Sequence, residues 1–104
     1  MSDEIIADEL IFQIRQVLEQ ASPSPNRPIT FEVQDDGQCI MFYIPVDDVP
    51  PSELQANIER IGRILNDMVP RRQGDYSWFA TFTIQNNRVD SCFGGNLDFP
   101  NTVF

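Results

Sequence analysis

The sequence predicts an α+β fold, a two-layer sandwich. A four-stranded, largely antiparallel sheet made of two β-hairpins carries two helices on one face, in the order α-β-β-α-β-β. Three observations lead there. Two segments repeat apolar residues every three or four positions, the period of a helix with one buried stripe. Two others alternate apolar and polar residues around short turn sequences, the period of a half-buried strand. Each helix and each hairpin then has one apolar face, and packing both helices on one side of one sheet buries them all. The pattern leaves the strand order open. The 104 residues fit one domain, 1–104, with residues 96–104 as an apolar C-terminal tail. A chain of this size buries roughly two-thirds of its unfolded surface, enough for a core without metal or disulfide staples.

The first helix is expected over residues 3–21. Ile6, Leu10, Ile14, Val17, Leu18 and Ala21 form its stripe, and Asp3 and Glu4 in the first turn favour the helix dipole. The proline-rich residues 22–28 end it and make a stiff surface connector.

Residues 29–35 and 38–44 flank Asp36-Gly37, a two-residue type I′ turn signal. That turn pairs Asp35 with Gln38, so Val33 faces Ile40, Phe31 faces Phe42 and Ile29 faces Ile44, all on one apolar face. The other face carries Gln34/Cys39, Glu32/Met41 and Thr30/Tyr43. Pro45 ends the strand. The second helix opens after Pro50-Pro51, either through a capping box of Ser52 with Gln55 or with Pro51 at its first position. Leu54, Ile58, Ile61, Leu65 and Met68 form its stripe, Gly62 would allow close contact with the sheet, and Pro70 closes it.

Residues 76–85 and 88–93 flank Asn86-Asn87, whose residues tolerate positive φ. Pairing Gln85 with Arg88 sets Ile84 against Val89, Phe82 against Ser91 and Ala80 against Phe93, with Trp78 on that face. Thr83/Asp90, Thr81/Cys92 and Phe79/Gly94 fall on the other. In the tail, Leu97, Phe99, Val103 and Phe104 are apolar enough to dock on the body or on a neighbour.

Composition narrows function. Sixteen Asp and Glu stand against seven basic residues, all of them Arg, giving a formal net charge of -9. Without His there is no imidazole base and no His metal ligand; without Lys there is no Schiff-base amine or P-loop lysine. The charge repels phosphate backbones and anionic membranes and favours a basic protein partner. Residues 1–20 carry acids where a signal peptide has a basic region, and no apolar run reaches the roughly 20 residues of a membrane span. Two separated cysteines fit a reduced compartment, so a cytoplasmic location is expected.

No catalytic, cofactor-binding or metal-binding residue is assigned. Asp35-Asp36 and Asp47-Asp48 lack calcium-loop spacing; Asp36 belongs to its turn, and Asp47-Asp48 precede a helix. Residues 94–98 resemble half of one glycine-aspartate calcium repeat without its third glycine. Cys39 and Cys92, both expected on the open face, lack the cationic surroundings that activate a thiol. Arg71-Arg72 reads as solvated surface or an intramolecular salt bridge.

The candidate partner-binding residues are Glu32, Met41, Tyr43, Phe79 and Asp90 on the open sheet face, with Asp47 and Asp48 beside it. The expected function is a small acidic non-catalytic binding protein, an immunity- or antitoxin-type inhibitor that neutralises a basic, nuclease-like partner. The acids are too scattered for a nucleic-acid mimic. The alternatives are a secretion-chaperone-like adaptor or homodimerisation module using the open face, and an enzyme working with carboxylates alone.

Overall fold

The computed structural model describes residues 5–22 and 27–98. In order, the elements are α1 (Asp8–Ala21), β1 (Thr30–Gln34), β2 (Cys39–Pro45), α2 (Leu54–Met68), β3 (Trp78–Ile84) and β4 (Asn87–Gly94). The strands form one sheet in the order β1-β2-β3-β4. Each hairpin is antiparallel, while β2 and β3 run parallel at the centre. The parallel pair follows from connectivity: α2 returns the chain to the start of the sheet, so β3 re-enters in the direction of β2. Both helices share one core with one sheet face. Ile14 and Leu18 of α1 and Ile58, Ile61 and Leu65 of α2 pack with Ile40, Phe42, Ile44, Trp78, Ala80 and Phe82. The fold is the expected α+β sandwich, largely antiparallel with one parallel pair.

Helix α1 begins at Asp8, five residues later than expected, with Asp8 and Glu9 in its first turn. Asp3 and Glu4 lie outside the described residues. Ile6 is still buried, but from an extended segment, because its amide donates to Gly37 O at 2.8 Å. That bond ties the chain to the first hairpin turn and delays the helix. At the other end, Ser22 Oγ donates to Asn57 Oδ1 and Asn57 Nδ2 donates to Ala21 O, both at 3.3 Å. These satisfy buried polar groups where α1 meets α2.

The first hairpin has the expected pairs, from Thr30 opposite Tyr43 to Gln34 opposite Cys39. Asp36 (φ 55, ψ 35) and Gly37 (φ 90) hold the central positions of a type I′ turn, and Asp35 (φ 53) before them is left-handed as well. Asp35 and Gln38 therefore belong to the loop and not to the ladder, and Ile29 with Ile44 also falls outside it. Gln38 N donates to Asp35 O at 3.1 Å to close it. Because β1 is an edge strand, its share of the apolar face is only partly covered: Phe31 is 38% and Val33 44% exposed.

The second hairpin corrects the expected register. The turn residues are Gln85 (φ 53) and Asn86 (φ 66), one position earlier than Asn86-Asn87. Asn87 therefore pairs with Ile84, and a bulge between Phe82 and Thr83 restores the ladder with Asp90 opposite Phe82. Val89 is the extra residue in that bulge. Beyond it Cys92 pairs with Ala80 and Phe93 with Phe79. A one-residue slip exchanges the two faces of a strand, so Cys92 enters the core while Phe93 moves to the open face.

Helix α2 opens through a 3-10 turn, residues Pro51–Glu53, with no side-chain cap. The capping box of Ser52 and Gln55 is thus not formed, and Pro51 provides the start. Gly62 is buried. Asn66 Oδ1 accepts the Trp78 indole N–H at 3.3 Å, fixing the largest core side chain to α2.

Candidate functional site

The face of the sheet away from the helices is built in rows by the strand pairing. One row reads Glu32, Met41, Phe79, Phe93; the next reads Thr30, Tyr43, Thr81, Ser91. Residues on paired strands sit side by side about 5 Å apart. Glu32, Met41, Tyr43 and Phe79, four of the expected partner-binding residues, are therefore neighbours. Met41, Tyr43 and Phe79 are half-buried and Glu32 is exposed.

Two aromatic residues missed by sequence reasoning complete this surface. Tyr76 meets Phe93 edge-on with ring centroids 4.5 Å apart, and Phe79 at 6.1 Å. Phe79 and Phe93 are themselves 6.1 Å apart. Such contacts add about 0.5–1.5 kcal/mol per pair beyond burial, so the three rings form a fixed platform. Toward the other end, Arg27, Thr30, Tyr43, Pro45 and Thr83 line a shallow depression of ≈ 380 Å³.

The segment between α2 and β3 covers the remaining end. Buried Arg72 holds it: Nε donates to Tyr76 O at 3.0 Å, and Nη2 contacts Asp35 at 2.8 Å and Asp75 at 3.3 Å. Arg72 also pairs through its backbone with Gly95 and Leu97. Its buried guanidinium is opposed by desolvation, yet the Asp35 bond and the neighbouring charges raise its pKa. Of the expected alternatives for the arginine pair, Arg72 forms the intramolecular ion pair and Arg71 the exposed surface.

Cys39 lies beneath this cover on the open-face side, 2% exposed. Burial pushes its thiol pKa up; Arg72 opposes that, while Asp35 and Asp75 add to it. Cys92 lies on the core side, where burial, then Asp90, pushes its thiol up to about 12. The expectation that both cysteines share the open face is overturned by the second hairpin's register. Neither environment favours a thiolate.

The remaining expected residues fall away from the surface. Asp90 pairs with Phe82, so it projects from the helix side of the sheet at the β4 edge. Asp47 Oδ2 accepts the Gln85 amide at 2.8 Å and sits 3.6 Å from Arg27 Nε. Arg27 Nη1 donates to Asn86 at 2.8 Å. Together Asp47 and Arg27 brace the strained second turn, a structural task. Asp48 lies exposed in the following loop.

Among the described residues, no group of three or more Cys, Asp or Glu is placed to hold a metal. No helix among them is long and apolar enough to cross a membrane. The apolar tail beyond residue 98 is outside the described residues. No protein-family model, no curated protein and no solved structure matches the chain.

Proposed function

We propose that this chain is a small acidic, non-catalytic binding protein that neutralises a basic protein partner, as immunity and antitoxin-type inhibitors do, within the cytoplasm. One observation carries the proposal. The sheet face away from the helices presents a fixed cluster of Met41, Tyr43, Tyr76, Phe79 and Phe93 beside Glu32, on a molecule of net charge -9. Methionine and aromatic residues are enriched at the centres of protein interfaces. The charge surplus accelerates encounter with a cationic partner and discriminates against anionic ones. Arg15, Arg27 and Arg72 are already paired with acids of the chain itself, so they do little to attract an anion.

The test is capture of partners by the immobilised protein, followed by binding kinetics with the captured basic protein. Association is expected to slow about tenfold between 50 mM and 500 mM salt, and Met41→Glu or Tyr43→Glu to abolish binding. Binding that ignores salt and both substitutions refutes the proposal. Salt-independent binding that is still lost in Met41→Glu would favour the adaptor reading, which rests on the same aromatic cluster. A concentration-dependent dimer lost in Met41→Glu would assign the face to self-association.

A further inference from the structure

The two edges of the sheet are defended differently. β4 is bulged and carries Arg88 and Asp90, features that discourage another strand from pairing with it. β1 has neither a bulge nor a proline, and all five of its residues are exposed. Among the described residues, no strand pairs with its outer backbone amides and carbonyls. Phe31 and Val33 project toward the helix layer, yet α1 leaves them 38% and 44% exposed. Across from them Phe12 of α1 is 55% exposed. Between α1 and β1 lies a groove of ≈ 450 Å³ lined by Phe12, Phe31 and Glu19 among others. Its rim is acidic: Asp8 and Glu19 line it and Glu9 lies beside it, against Arg15, which sits 3.5 Å from Glu19.

We infer that the β1 edge is a second docking site, which takes an extended segment of a basic partner as a fifth strand. Strand addition uses main-chain hydrogen bonds for affinity and alternate side chains for selectivity. A strand paired to β1 places every second side chain under α1, against Phe12, Phe31 and Val33, and these positions call for apolar residues. The intervening side chains lie beside Glu32, and the flanks near Asp8, Glu9 and Glu19, where Arg or Lys is complementary. A second copy of this chain fits less well, since each copy brings a charge of -9. The inference shares the partner's basic character and Glu32 with the proposed function and otherwise uses a different surface.

The probe is a blocked eight-residue peptide of alternating Val and Arg, with a Val/Glu peptide as control. Hydrogen exchange is followed at the outward-facing amides of residues 30–34, those not bonded to β2. The Val/Arg peptide is expected to slow their exchange at least tenfold, and the Val/Glu peptide to leave it unchanged. Phe12→Arg and Val33→Arg, both at exposed positions, should weaken peptide binding at least tenfold while the hydrogen-exchange pattern of β2 and β3 shows the fold intact. Met41→Glu, on the other face, should leave it unchanged. Equal protection by both peptides, or full binding by Phe12→Arg and Val33→Arg, overturns the inference. So does slow exchange of these amides in the free monomer, which would mean that the chain covers its own edge. Protection that grows with protein concentration alone also overturns it, in favour of a second copy.

Discussion

Replacing Arg72 with Met tests how much the cover over the open face depends on one buried cation. The substitution keeps an unbranched apolar stem of similar length, so little packing is lost. It removes the charge-assisted bond from Nε to Tyr76 O, worth about 1.5 kcal/mol in a buried site. It also removes the contacts with Asp35 and Asp75, whose side chains are 54% and 60% exposed. Those carboxylates rehydrate, so each contact is discounted to about 0.5 kcal/mol. The total loss is about 2.5 kcal/mol, or roughly 10–20 °C in Tm for a domain of this size. Arg72→Lys regains the ionic contacts but not the planar fork, and is expected near 1.5 kcal/mol. Urea unfolding at pH 7 measures both, with an unchanged slope as the sign that only native stability has moved. In 1 M salt the wild-type advantage over Met should shrink by about 1 kcal/mol and no more. A loss below 0.5 kcal/mol for Arg72→Met, or a Lys variant equal to wild type, would refute the account of a directional clasp.

Three further outcomes follow from other parts of the molecule. Cys92, whose pKa rises from 9.0 to about 12, stays protonated in the folded state while the unfolded thiol ionises. The folded state then binds more protons between pH 9 and 12, so stability falls as pH rises, by at most about 1.4 kcal/mol per unit. Denaturant titrations at pH 8, 9 and 10 should show the fall, and Cys92→Ala should reduce it, leaving the part that Cys39, its thiol also raised by burial, contributes in the same direction. Gly95→Ala should cost more than about 3 kcal/mol, because φ is +80° and the new Cβ would overlap Ser77 Oγ and lie 3.2 Å from Trp78 Cδ1. Gly74→Ala is the matched control: φ is +81° with nothing within 4 Å, so it should cost about 1 kcal/mol by thermal melt. Asn57→Ala removes both links between the end of α1 and α2, and should cost about 2 kcal/mol in the same assay.

How much was legible in the sequence differs between the hairpins for a physical reason. In the first, turn chemistry and apolar alternation specify the same register, and the expected pairs from Thr30/Tyr43 to Gln34/Cys39 form. In the second, Gln85, Asn86 and Asn87 offer two overlapping two-residue turns, and a bulge after Phe82 breaks the period that would choose between them. A bulge leaves no mark in a pattern that assumes strict alternation. The error moved Cys92, Phe93 and Asp90 to the wrong faces, and with them part of the expected site. Glu32, Met41, Tyr43 and Phe79 were placed correctly because their pairings do not cross the bulge. The roles of Arg72 and Asp47 depend on residues 37 and 38 positions away in the chain, which no local signal records.

The distribution of charge separates the two surfaces in a way that total charge does not. Near the aromatic cluster, Asp35 and Asp75 are engaged by Arg72, so Glu32 is the acid that its strand rows contribute. At the groove beside the β1 edge, Asp8, Glu9 and Glu19 outnumber Arg15, which pairs with Glu19. Long-range steering toward the whole molecule acts on association in both cases. Close ion pairs act on dissociation. A partner held by the open face should therefore show salt dependence in association alone. A partner strand held at the β1 edge should also dissociate faster as salt rises, and Glu19→Gln should remove part of that acceleration. The two rate constants, measured across salt for wild type and for this variant, assign the binding surface without a structure of the complex.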